Sequence, residues 1–304
     1  MEPASELTPE LRAFVEFVAK KGRELYRDLP WRRTYDPYAI WISEVMLQQT
    51  QVSRVDGRWQ RWRERFPTVD ALAAAAPSDV LEEWQGLGYN RRALSVHRAA
   101  QAISEAGGVF PQDPKELVKL PGIGPATAAG IRAFAFNLHG VYLETNVRTV
   151  FLHELYPQAE GVPDSELVPL VELTCPASVE DAADADSAAN DATAALTPRS
   201  WYYALLDYGA YLKKTIPNPS RRSKSHVKQS RFEGSHRQKR AELLRVLLAH
   251  KDEGGAVFET LHQELCQIEV NAGRETLDEQ VTLGLLEELA KEGFCQKNDE
   301  YWLP

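Results

Sequence analysis

The chain has 304 residues, 43% of them hydrophobic, and a formal net charge of -9, which suits a main domain with a substantial core plus a smaller one. No apolar run approaches the length needed to span a bilayer, and the start, MEPASELTPELRAF, is too polar and acidic for a secretory signal, so an intracellular, cytoplasmic setting without a membrane partner is expected. Cys175, Cys266 and Cys295 are scattered without CxxC spacing, which argues against a disulfide framework or a metal site and for free thiols.

Apolar residues at three- and four-residue spacing predict helices in PELRAFVEFVAKKGREL (9–25), in SDVLEEWQGLGYNRRALSVHRAAQAI (78–103) and in GPATAAGIRAFAF (124–136). Helix starts are punctuated by Asp36-Pro37, Pro77-Ser78-Asp79, Pro111 to Pro114 and Pro121-Gly122. Long alternating strand patterns are missing, so residues 1–215 are expected to form an all-helical domain. Within it, 176–199 is rich in Ala, Asp and Ser, carries Glu180, Asp181, Asp184, Asp186 and Asp191, and is expected to be a disordered acidic insertion. SWYYALLDYGAYLKK (200–214) then resumes an apolar helix that should pack on the same core. Residues 213–240 carry ten Lys or Arg against one Glu, so the net acidity does not exclude a nucleic-acid partner, and 216–237 are expected to form a basic linker. Helices in KRAELLRVLLAHK, VFETLHQELC and LDEQVTLGLLEELAKEG precede two short strands about an Asn298-Asp299 turn, which together predict a small winged-helix-like domain over 238–304.

The most specific local signal is Leu120-Pro121-Gly122-Ile123-Gly124. Glycines at this spacing between helical patterns allow a tight hairpin, and the backbone of Leu120, Gly122, Gly124, Ala126 and Thr127 would turn toward a DNA phosphate with no sequence preference. LPWRRTYDPYAIWISEVMLQQTQVSRV, RFPTVDAL, EEWQGLGYNRRALSVHRAAQAI, LPGIGPATAAGIRAF and LETNVRTV follow one another in the order and spacing of the helix-hairpin-helix DNA glycosylases. The chain resembles that superfamily, and within it most resembles the A/G-mismatch adenine glycosylases, closely over residues 29–155 and again at WYYALLDYGA. The resemblance implies a mainly α, helix-hairpin-helix fold. The partner it implies is double-stranded DNA with a damaged or mismatched base, bound by a monomer.

Cleaving an N-glycosidic bond calls for one carboxyl group to protonate the leaving base and another to face the cationic sugar, with the base turned out of the stack. Glu44 stands in an apolar helical segment beside Trp41 and Met46, where burial would keep it protonated. The resemblance makes Glu44 the acid, has a glutamine of Gln48-Gln49 fill the space of the flipped base, and makes Tyr89 an aromatic wedge. It places Glu144 where the family has its catalytic aspartate, with Asn146 two residues on, and the extra methylene moves the carboxylate by about one bond length. Ala126 replaces the lysine of the strand-cutting branch, so no lyase activity is expected, and it also replaces the hydroxyl-bearing residue frequent in adenine glycosylases. Most relatives bind an iron–sulfur cluster just after the helix at WYYALLDYGAYL; the corresponding stretch here has no cysteine, so no cofactor is expected, and Arg221, Arg222 and Lys224 are expected to contact phosphates instead. In place of the C-terminal domain with which adenine glycosylases inspect oxidised guanine, the winged-helix-like segment is expected. The expected function is a monofunctional glycosylase that removes adenine opposite 8-oxoguanine or guanine. The alternatives are a uracil or thymine mismatch glycosylase and a non-catalytic damage-binding protein.

Overall fold

The computed structural model describes residues 7–179, 196–225 and 231–304. In chain order the helices are α1 (Pro9–Glu24), α2 (Pro37–Leu47), α3 (Val52–Val55), α4 (Arg58–Arg65), α5 (Val69–Ala73), α6 (Pro77–Glu83), α7 (Arg91–Glu105), α8 (Pro114–Leu117), α9 (Pro125–Phe136), α10 (Thr145–Glu154), α11 (Asp164–Thr174) and α12 (Pro198–Thr215). They are followed by α13 (His236–Ala249), strand β1 (Ala256–Val257), α14 (Phe258–Asn271), α15 (Glu279–Glu292), β2 (Gln296–Asn298) and β3 (Tyr301–Leu303). Among the described residues no helix is long and apolar enough to cross a membrane.

The chain divides into two compact units that do not follow its linear order: residues 1–45 with 110–228, and residues 46–109 with 229–304. In the first unit, α1, α9, α10 and α12 share a core that includes Phe14, Phe134, Phe151, Trp201 and Tyr202. Phe14 meets Phe151 edge-on at 5.1 Å and Trp201 at 6.1 Å. Gly22 permits the crossing of α1 and α12, because a Cβ there would lie 2.3 Å from Cβ of Ala204. A buried ion pair ties α12 to the segment before α2: both oxygens of Asp207 accept from the Arg32 guanidinium at 2.7 and 2.9 Å, and Nε of Arg27 adds a third donor at 2.5 Å. Thr197 and Ser200 form a capping box that starts α12.

Of residues 176–199, expected as a disordered insertion, those at both ends belong to the described structure. Ser178 accepts from the backbone N–H of His139, Val179 donates to the carbonyl of Asn137, and Thr197 to Arg199 already belong to the start of α12. These ends are ordered because they supply partners that Asn137, His139 and the first turn of α12 require. The acidic residues 180–195 lie outside the described residues.

In the second unit, Trp62 and Trp84 are fully buried and meet edge-on at 5.5 Å. The helical pattern over 78–103 divides into α6 and α7 around Gly86 and Gly88, both with positive φ. The three C-terminal helices and the terminal hairpin expected over 238–304 are present, and β1 adds a strand that two residues were too few to signal: the sheet is antiparallel with order β1-β3-β2. Asp299, at φ 52°, makes the hairpin turn. This C-terminal part groups with 46–109 through charges as well as apolar contact. Lys251 reaches Asp79 at 2.5 Å and Glu82 at 3.0 Å, and Glu292 lies between Arg91 at 2.5 Å and Arg240 at 2.7 Å.

Candidate active site

The site is built in the first unit on two helices and the segment between α9 and α10. Along α2, residues Tyr38 to Ser43, Val45 and Met46 are all buried, so Glu44 extends a carboxyl group from an otherwise apolar helix. Its Oε2 accepts from the Tyr142 hydroxyl at 2.8 Å. Burial raises the Glu44 pKa from 4.5 to about 7; the Tyr142 hydrogen bond opposes the rise, the neighbouring charge of Glu144 adds to it, and Arg32 lowers it. Gly130 of α9 makes room for this arrangement, since a Cβ there would lie 2.4 Å from Oε2 of Glu44 and 2.9 Å from the Tyr142 ring.

Glu144 is the N-cap of α10. Its backbone is extended, at φ -110° and ψ -178°, and its Oε1 accepts from the N–H groups of Asn146 at 2.6 Å and Val147 at 3.1 Å. Asp, Asn, Ser and Thr usually hold such a position. Here the longer side chain folds back to make the same bonds, and the extra methylene is absorbed by the cap. Burial raises the Glu144 pKa, whereas the two N–H groups, the charge of Lys213 and the Asn146 side chain lower it. Asn146 itself accepts from Lys213 of α12, with Nζ 2.9 Å from Oδ1. The structure thus brings Glu44, Glu144 and Asn146 together in one electrostatic neighbourhood.

Four residues of this neighbourhood carried no role in the sequence: Tyr142, Gly130, Gly209 and Lys213. Tyr142 stands two residues before Glu144, and its own N–H donates to the Tyr202 hydroxyl at 3.1 Å, which holds the segment against the core. Gly130 and Gly209 interrupt helical patterns, and a glycine retained inside a helix commonly marks a close approach. Position 209 answers to that signal, because a Cβ there would lie 2.3 Å from the carbonyl oxygen of Asn146.

The second unit holds three further candidate DNA contacts, Gln48, Gln49 and Tyr89. Gln49 and Tyr89, neither a glycine, both adopt left-handed backbone, at φ 54° and 50°, a conformation that concentrates at functional sites. The Tyr89 ring is 44% exposed, so it is not a core aromatic. Arg92, which sequence reasoning missed, joins the loop after α2 to the loop before α7: it donates to the carbonyl oxygens of Gln48 at 2.7 Å, Met46 at 3.2 Å and Gly88 at 2.9 Å, and to the Thr50 hydroxyl at 3.2 Å. Burial lowers its pKa to about 10.

The hairpin forms as expected between α8 and α9. Gly122 has φ 76°, the Ile123 N–H donates to the Leu120 carbonyl at 3.1 Å, and Pro125 occupies the first turn of α9 after the N-cap Gly124. Gly122, Gly124 and Ala126 are exposed and Leu120 is half-buried, whereas Thr127 is buried. After α12 the chain makes a short 3-10 turn, Pro219–Arg222, with Ser220 and Ser223 buried. Asn218 Oδ1 accepts from the N–H and hydroxyl of Ser220, and Val162 exchanges backbone hydrogen bonds with Arg222 and Lys224. Arg222 turns inward to the carbonyl oxygens of Leu152, at 2.8 Å, and Tyr156, completing the end of α10, while Arg221 and Lys224 are exposed. This donor set does not fit a four-thiolate cluster: the chain has three cysteines, two of them in the second unit, and polar side chains and backbone close the turn.

With this geometry in view, known proteins can be set beside it. Residues 42–197 match the family described as "HhH-GPD superfamily base excision DNA repair protein". The adenine DNA glycosylase of Mycolicibacterium smegmatis is 43% identical over 152 residues, which is 49% of this chain and 52% of that protein. That of Mycobacterium tuberculosis is 42% identical over 141 residues, 45% of this chain and 46% of that protein. The human adenine DNA glycosylase is 39% identical over 134 residues, 41% of this chain and 24% of that protein. The chain therefore spans about half the length, or less, of these curated relatives. Among solved structures, a thermostable thymine-DNA glycosylase superposes with a TM-score of 0.56 at 21% identity, covering 69% of this chain and 90% of that one. Endonuclease III in a trapped DNA complex gives 0.50 at 19% identity, covering 70% and 94%. These two likenesses concern the fold. The motif order, the carboxylate pair and the match over half its length agree, and the chain belongs to the HhH-GPD superfamily of base excision DNA repair proteins.

Proposed function

We propose that this protein is a monofunctional DNA N-glycosylase that removes a flipped, mispaired base from duplex DNA inside the cell, acting as a monomer and without an iron–sulfur cluster. The observation that carries the proposal is the pair of unlike carboxyl groups. Glu44 is desolvated and hydrogen-bonded to Tyr142, with a pKa near neutrality, and Glu144 is held against the first turn of α10 by two N–H donors. Groups so differentiated suit acid and charge-stabilising roles. Glu44 gives its proton to the departing base as the C1′–N bond breaks and its electron pair leaves with the base. Glu144 faces the cationic sugar until water adds its oxygen to C1′ and loses a proton. Tyr89 and the Gln48-Gln49 pair would hold the opened stack, and the Gly122–Thr127 turn, with Arg221 and Lys224, would take phosphates.

Adenine opposite 8-oxoguanine or guanine is the proposed substrate, supported by the adenine glycosylase relatives. Uracil or thymine opposite guanine is the second reading, favoured by Ala126 at the position where adenine glycosylases often carry a hydroxyl. The experiment is a panel of labelled duplexes carrying A opposite 8-oxoguanine, A opposite G, U opposite G, T opposite G and hypoxanthine, followed by alkali. Strand breakage that requires alkali and disappears in Glu44→Gln, with DNA affinity retained, is the expected outcome. Breakage without alkali would refute the monofunctional assignment, and tight binding with no breakage on any duplex would favour a non-catalytic damage-binding protein.

A further inference from the structure

Lys213 lies one turn beyond Gly209 on α12, and i to i+4 spacing puts both on one helix face. Gly209 lets that face approach the first turn of α10 at Asn146, where any Cβ would collide with backbone at 2.3 and 2.8 Å. The Lys213 ammonium then reaches Oδ1 of Asn146 at 2.9 Å. An ammonium has only donors and an ionised carboxylate only acceptors. An asparagine amide between them has one favourable orientation, with oxygen toward the lysine and nitrogen toward the carboxylate.

We propose that Lys213 is a positioning residue for the carboxylate pair: by engaging Oδ1 of Asn146 it fixes the orientation of that amide, which then presents its NH2 group to Glu144 and holds the carboxylate in place and ionised. This inference rests on the glycosylase assignment for its bearing on catalysis, although the geometry stands without it. The charged and titratable groups that act on the pair are Lys213 from α12, Tyr142 from the preceding segment and Arg32 through Glu44, with the neutral Asn146 amide of α10 as a hydrogen-bond donor. Lys213 and the Asn146 side chain both favour the charged form of Glu144, whereas burial opposes it. Lys213 thereby favours the ionised form of Glu144 beside a Glu44 that burial pushes toward its protonated form.

The test uses the full chain, as wild type, Lys213→Met and Lys213→Arg. The Glu144 carboxyl is titrated by carbon NMR in the absence of DNA, with Glu144→Gln identifying the resonance. The expected result is a midpoint raised on the order of one pH unit in Lys213→Met and restored in Lys213→Arg. On the duplex that the panel selects, the single-turnover rate of Lys213→Met at saturating DNA should fall between about 10- and 100-fold, with the acid limb of its pH profile moved upward. An unchanged midpoint would overturn the proposal, as would a rate loss confined to sub-saturating DNA and relieved by low salt, which would make Lys213 a phosphate contact. A raised midpoint in Lys213→Met together with a wild-type protein that turns over no duplex would leave the positioning role intact and sink only the reaction assigned to the site.

Discussion

The carboxylate site of the first unit and the Gln48–Tyr89 region of the second meet opposite physical demands. The first must keep titratable groups in a poorly solvated place, and it does so by giving each a specific partner: Tyr142 for Glu44, the α10 N–H groups for Glu144, and Lys213 for Asn146. The second must hold an apolar ring out of the core against its tendency to be buried, and it does so with left-handed backbone at Gln49 and Tyr89 locked by a single arginine. In one region glycine and hydrogen bonds make side chains approach; in the other they keep a side chain out. On the proposed function, proton chemistry and duplex distortion would fall to separately stabilised parts, and substitutions in the two should fail differently.

The sharpest break of that contrast is Gly130→Ala. The added methyl would lie 2.4 Å from the Glu44 oxygen, so base release should fall by about 100-fold or more while affinity for intact duplex is retained; single-turnover rates beside binding isotherms would check it. Arg92→Met should do the reverse. Loss of donors to four carbonyl oxygens and a hydroxyl is expected to destabilise the fold by about 2–3 kcal/mol in urea titrations and to weaken binding to mismatched duplex, with the Glu44 titration unmoved. If the catalytic pH profile shifted instead, the separation would be wrong.

Tyr142→Phe sharpens the first half at a smaller scale, about tenfold in rate at neutral pH. The sign follows from the hydrogen bond: it lowers the Glu44 pKa against a burial that raises it to about 7, so its removal lets the pKa climb. If Glu44 acts as the proposed acid, its protonated form is the active one, so the alkaline limb should move to higher pH even as the maximum falls, and a limb moving lower would contradict this geometry. The smallest expected effect belongs to Lys251→Met, whose partners Asp79 and Glu82 are part-exposed. Such surface pairs contribute roughly 0–1 kcal/mol, so the loss should vanish in high salt.

Much of the architecture was legible because it rests on local rules. The hairpin at Gly122 and Gly124, the proline-marked starts of α2, α6, α8 and α9, the three C-terminal helices and the Asn298-Asp299 turn each follow from a few neighbouring residues. The placement of Ser178 and Val179 was not, since their hydrogen-bond partners lie some forty residues away in sequence, at His139 and Asn137. Arg222 illustrates the same limit: in a basic run it has the composition of a phosphate contact, and only the fold shows that two carbonyl oxygens at the end of α10 occupy its guanidinium.

By itself the sequence determined the helical class and the order of the motifs and singled out Glu44, Glu144 and Asn146 as candidates, because periodicity, caps and turns are written in short stretches and a carboxyl group is the same wherever it sits. Tertiary structure decided what those groups can do. The Glu44 proton affinity depends on burial and on Tyr142, 98 residues away in sequence. The competence of a glutamate at position 144 depends on how its carboxylate reaches the N–H groups of α10, and the approach of Lys213 depends on a glycine whose missing Cβ admits another helix. Electrostatic energies depend on distance and desolvation, and the fold, bringing together residues remote in the chain, sets both.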